Sequence, residues 1–130
     1  MSVTPLHEFG WKLETKLLPR LEDALGEKLR KTEARFNSSD YISETHYVEL
    51  KCRRFPVTPD SYNTWLLPCC KAVETRGKEL IFFYYFEADN SLWYLYYDKE
   101  IFDGYERHSP AWHPTRQEHF YTNKIDWIKI

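Results

Sequence analysis

Three charged residues lie close enough in the chain to act together: Asp40, Glu49 and Lys51, within the stretch D-Y-I-S-E-T-H-Y-V-E-L-K. From His46 to Arg53 polar and apolar residues alternate at strand period. Side chains alternate faces along a strand, so Glu49 and Lys51 share one side while Val48, Leu50 and Cys52 take the other. Asp40 stands one hairpin away, across a Glu44-Thr45 turn, within reach of the same face. Two carboxylates beside an ammonium form either a metal site or a set of solvated charges. Glu14 is a fourth candidate, because Trp11 three residues before it, with Leu18 and Leu21 four and seven after, set it inside a helical apolar stripe. A carboxylate there needs a partner or a metal. Glu22, flanked by Leu18 and Leu25, is the second choice for a helical acid.

The elements that must position these groups follow from the pattern on either side. Thr4-Pro5 reads as a helix start and Gly26 as its stop, with Leu6, Phe9, Leu13 and Leu17 at helical spacing and a kink expected at Pro19. Leu29–Phe36, Asp40–Ser43 and His46–Arg53 read as three strands, the first two joined by the Asn37-Ser38-Ser39 turn, and their short connections predict an antiparallel meander. Thr58-Pro59 repeats the helix-start device. Tyr62, Trp65, Leu66, Cys69 and Val73 then follow at helical intervals, broken by Pro68 and ending at Gly77, which predicts a crossover helix. Leu80–Phe86 is apolar on both faces and reads as a central strand parallel to the third. Asp89-Asn90-Ser91 turns the chain into a hairpin with Leu92–Tyr97. Asp103–Gln117 reads as a long loop, and His119–Ile130 as a segment that packs back on the domain.

At 130 residues, with 42% hydrophobic and 29% charged residues, the chain is expected to fold as one globular domain over residues 1–130. A net charge of -2 excludes a surface coated throughout for nucleic acid but permits a local basic groove. Cys52, Cys69 and Cys70 are odd in number and lack C-x-x-C spacing, which points away from a disulfide framework or zinc ribbon and toward a reducing compartment. With no stretch resembling a signal peptide or membrane span, the expectation is a soluble, cytoplasmic protein without membrane partners. His108, His113 and His119 fit no zinc-site spacing. Glycine is too scarce for a phosphate-cradling loop, and no serine or cysteine sits in a nucleophile elbow.

The order helix, three-strand meander, helix, strand, with Asp40 opening the second strand and Glu49-Leu50-Lys51 on the third, resembles the PD-(D/E)XK nuclease superfamily. The resemblance spans Leu6 to Phe86, and Ser39 stands where the name-giving motif has proline. It implies a restriction-endonuclease-like α/β fold: a mixed sheet of the meander plus a parallel strand after the crossover helix, extended by the hairpin and flanked by helices. It also implies metal-dependent hydrolysis of phosphodiester bonds, with DNA favoured over RNA. Asp40, Glu49 and the Leu50 backbone carbonyl would hold Mg2+ or Mn2+, with Glu14 binding directly or through water. Lys51 would orient the attacking water or neutralise the transition state. Lys71, on the crossover helix, is the implied phosphate contact. Arg53, which alternation puts on the face of Lys51, could meet the substrate backbone. A homodimer and a viral or mobile-element setting are compatible with such chemistry. The alternative reading is a non-catalytic nucleic-acid-binding or protein-interaction module on a degenerate nuclease fold.

Overall fold

The computed structural model describes residues 5–32, 40–71, 77–111 and 117–130. Helix α1 (Pro5–Leu25) runs without interruption through Pro19, which faces solvent, so the expected kink is absent. The helix ends as expected at Gly26. Its φ of +70° suits a residue without a Cβ, and its N–H donates to the Glu22 carbonyl at 2.8 Å.

Strands β1 (Arg30–Lys31), β2 (Tyr41–Ile42) and β3 (His46–Arg53) form the antiparallel meander; Leu29 and Thr32 flank β1 outside the strand, and residues 33–36 of the expected first strand lie outside the described residues together with its Asn37-Ser38-Ser39 turn. Strand β5 (Glu79–Phe86) pairs parallel with β3, from His46 opposite Glu79 to Arg53 opposite Phe86. Strand β6 (Ser91–Tyr96) returns antiparallel to β5, and the short β9 (Ile128–Lys129) closes a six-stranded sheet in the order β1-β2-β3-β5-β6-β9. A mixed α/β sheet with few helices is therefore what the chain forms.

The largest departure lies in the crossover. Trp65 and Leu66 belong not to a helix but to strand β4 (Thr64–Pro68), followed by a 3-10 turn at Cys69–Lys71. Residues 72–76 of the expected helix lie outside the described residues. Period two also runs through this segment, with Trp65 and Leu67 buried and Leu66 between them only half-buried. What decides is a partner distant in sequence: β4 pairs antiparallel with β8 (His119–Asn123), setting Trp65 opposite Thr122. Pro68 would also have broken a helix at this point. The expected loop after Asp103 likewise contains β7 (Glu106–His108), which completes a three-stranded sheet in the order β4-β8-β7. Arg107 steadies this pairing, with its guanidinium 4.7 Å from the Phe120 ring centre.

The continuous apolar run of β5 is explained by cover on both faces. Ile81, Phe83 and Tyr85 pack with Val48 and Leu50 against Leu13, Leu17 and Leu21 of α1. Leu80, Phe82, Tyr84 and Phe86 pack on the other side against Trp65 and Leu67 of β4, Phe120 of β8, Trp127, and Phe102 of the short helix α2 (Lys99–Asp103). Each fully buried aliphatic or aromatic side chain of this kind contributes about 1.5–3 kcal/mol. Among the described residues no helix is long and apolar enough to cross a membrane.

Candidate active site at the β2–β3 junction

Asp40 is placed by backbone hydrogen bonds on both sides. Its carbonyl accepts from the Thr32 N–H at 3.1 Å, and its N–H donates to the Val48 carbonyl at 2.9 Å. Because Tyr41 is already the register partner of Val48, Asp40, just before β2, and Tyr41 both stand opposite one residue of β3, the arrangement of a bulge that re-aims a side chain. The carboxylate turns onto β3, where its Oδ2 accepts the Leu50 N–H at 2.7 Å. Hydrogen bonds of this charge-assisted kind are short and strong. The carboxylate thus rests beside the backbone between Glu49 and Lys51. A strand residue's N–H and C=O lie along the same edge, so the Leu50 carbonyl also faces the side occupied by Asp40.

Alternation along β3 holds: Val48, Leu50 and Cys52 pack toward α1, while Tyr47 belongs to the core on the other face. Glu49 and Lys51 are on the Tyr47 side, in register beside Phe82 and Tyr84 of β5. That face is covered by the second sheet, so Glu49 is only 3% exposed whereas Lys51 is half-buried. The Oε2 of Glu49 is buried and receives no hydrogen bond, although the residue itself has an interaction partner. Arg53, the last residue of β3, borders a cleft of about 510 Å³ between the two sheets.

The helical acids divide. Glu14 lies on the α1 side, with its carboxylate 3.0 Å from the Lys31 ammonium and its backbone carbonyl accepting the Tyr41 hydroxyl at 2.6 Å. Its charge still reaches the junction. The Cys52 thiol is pushed up to about 12, first by burial and then by the negative charges of Glu14 and Asp40, with Lys51 opposing them. Glu14 and Asp40 thus lie near enough to the thiol for their charges to act on it, with Lys51 acting in the opposite sense. Glu22 does a different job: its carboxylate accepts the Leu29 N–H at 2.9 Å and lies 3.9 Å from the Lys28 ammonium, closing the turn after α1. Lys71 sits on the 3-10 turn rather than on an α-helix, and its side chain lies outside the described residues.

A second polar cluster was not legible as one. Glu27 accepts hydrogen bonds from the hydroxyls of Ser43 and Thr45 and pairs with Nδ1 of His46 at 2.8 Å, while Nε2 of His46 lies 3.0 Å from the Tyr96 hydroxyl. The hydroxyl hydrogen bonds to Glu27, those of Ser43 foremost, hold its carboxyl below the usual range. This cluster lies at the opposite end of β3 from Lys51 and fastens the β2–β3 turn to the loop after α1. Only the polar turn sequence S-E-T-H marked its position.

Among the described residues no three His, Cys, Asp or Glu side chains form a metal cage. Magnesium does not require one, since one or two carboxylates with carbonyl and water oxygens serve it. Asp40 supplies one carboxylate at the edge of β3 that the Leu50 carbonyl also faces, while Glu49 turns into the buried Tyr47 side of the strand. No protein-family model, curated protein or solved structure matches the chain.

Proposed function

We propose that the protein is a metal-dependent nuclease on a restriction-endonuclease-like fold, cutting phosphodiester bonds at the β2–β3 junction, with DNA as the favoured substrate. The observation that carries this reading is the Asp40 carboxylate seated on the Leu50 N–H, between Glu49 and Lys51. A divalent cation is the complement to that oxygen-rich spot, and Asp40, Glu49 and the Leu50 carbonyl would hold it. When bound it supplies Lewis acidity to the phosphate oxygens. Lys51 positions the attacking water and offsets charge in the pentavalent transition state. Glu14 acts from the far side of β3 as a charge that favours cation binding, its carboxylate steadied by Lys31.

The test is incubation of purified protein with single- and double-stranded DNA and RNA in Mg2+ or Mn2+. Cleavage is expected, with Glu49→Ala and Lys51→Ala each lowering the rate by roughly 100-fold or more. If the wild type cuts nothing and calorimetry detects no divalent cation binding, the enzyme reading fails and the fold serves binding alone.

A further inference from the structure

The cleft of about 510 Å³ lies where the C-terminal end of β3 meets β4 of the second sheet. Its size is within the roughly 300–1,000 Å³ of pockets that enclose small organic ligands. Trp65, Tyr84 and Phe86 form buried aromatic walls, while Tyr62, 55% exposed, and half-buried Tyr121 stand at the rim. The walls are rigid: Trp65 packs 4.9 Å from Phe86 and 5.4 Å from Tyr84, centre to centre, and the Tyr84 hydroxyl donates to the Leu66 carbonyl at 2.9 Å across the two sheets.

The charge in this cleft is of one sign. Among the described residues Arg53 lines it, no carboxylate does, and Arg53 makes no salt bridge. An aromatic slot with one guanidinium at its mouth complements a flat ring carrying an anion. Arg53 is two residues beyond Lys51 on the same face of β3, a separation of about 6.6 Å at strand rise, roughly one nucleotide of an extended strand.

We propose that this cleft takes one unpaired nucleotide of a DNA strand, its base held between the aromatic walls and Tyr62 and its phosphate on Arg53. The inference rests on the nuclease reading and narrows its substrate to single-stranded DNA, or duplex with an unpaired end. A base within a duplex is stacked and paired, and entering the slot would require breaking both contacts. Aromatic stacking tolerates any base, so the cleft selects strandedness rather than sequence.

Binding is measured with the full chain in EDTA, so that no cleavage is needed. Fluorescence anisotropy compares a labelled ten-nucleotide oligothymidylate, a duplex of the same length, and a ten-unit abasic oligomer that keeps the phosphates and lacks bases. The oligothymidylate is expected to bind on the order of ten-fold or more tighter than either of the others. Tyr62→Ser should weaken that binding by about ten-fold, and Arg53→Gln should weaken binding and flatten its salt dependence. Both residues are at least partly exposed, and unchanged melting temperatures would show that the variants fold. Equal affinity for the abasic oligomer, equal affinity for the duplex, or unaltered binding by both variants would overturn the proposal. A protein that cleaves with Mg2+ yet shows no strand preference would sink the cleft assignment and leave the nuclease reading standing. One that binds through the cleft yet never cleaves would do the reverse.

Discussion

Thr122 offers a direct measure of what ties Trp127 to the second sheet. It is fully buried on β8, where its hydroxyl donates to the Trp65 carbonyl and accepts the Trp127 indole N–H at 2.9 Å. Thr122→Val keeps the branched shape and removes both hydrogen bonds. The indole N–H of Trp127, 4% exposed, is then left buried without an acceptor, at a cost of about 1–3 kcal/mol. The lost bond to the Trp65 carbonyl adds about 1 kcal/mol. The expected destabilisation is therefore about 2–4 kcal/mol, a fall in Tm of roughly 6–15 °C for a domain of this size. Urea unfolding followed by far-ultraviolet circular dichroism measures it. Trp127→Phe removes the other end of the same bond, so the double variant should be about 1–2 kcal/mol more stable than the sum of the single effects. A Thr122→Val variant within about 0.5 kcal/mol of wild type, or an additive cycle, would refute the network.

Three further outcomes follow from other parts of the molecule. Glu27 has its folded-state pKa lowered from the ordinary carboxyl value, chiefly by the Ser43 and Thr45 hydroxyls, so its contribution to stability is complete above the unfolded value and lost as pH falls through the folded one. Glu27→Gln should accordingly be less stable than wild type near neutrality, and the two should converge in urea titrations toward pH 3. Exposed Cys70 should be alkylated first by iodoacetamide at pH 8, whereas Cys52, partly buried with its thiol pushed up to about 12, should react only on unfolding, as peptide mass spectrometry would record. Phe102→Ala removes a fully buried ring that packs within 5.8 Å, centre to centre, of Phe82, Tyr97, Tyr105 and Phe120; thermal unfolding should register a loss of about 3–5 kcal/mol.

What the sequence made legible was local. Period two from His46 to Arg53 separated Val48 and Leu50 from Glu49 and Lys51, and the unbroken apolar run of Leu80–Phe86 announced a strand covered on both faces. Gly26 marked the end of α1 because a positive φ there requires no compensation. What stayed hidden depended on partners far along the chain. Trp65 and Leu67 declare themselves as a strand only once β8 lies alongside, more than fifty residues later. The burial of Glu49 depends on the same second sheet, so a face that read as open is closed. Asp40 was legible as a neighbour of Glu49 and Lys51, but its hydrogen bond to the Leu50 N–H arises from an extra residue opposite Val48, which side-chain pattern does not encode. Helical spacing ranked Glu14 ahead of Glu22 but did not show their partners: the Lys31 ammonium on β1 meets Glu14, and the Leu29 N–H after the turn meets Glu22.

The parallel pairing of β3 with β5 also sets the order in which the chain is able to fold. Strands β5 and β6 are joined by a short turn and close rapidly, as do β2 and β3, whereas β3 and β5 are about thirty residues apart and carry a larger loop-closure entropy. Strand β4 lies inside that loop, and its partner β8 is near the far end of the chain. The two hairpins are therefore expected to close before the sheets meet, with the space between the sheets among the last features to form. In stopped-flow chevron measurements, substitutions in β4 and β8 should accordingly accelerate unfolding far more than they slow folding, while those in the β5–β6 hairpin should divide their effect between both rates.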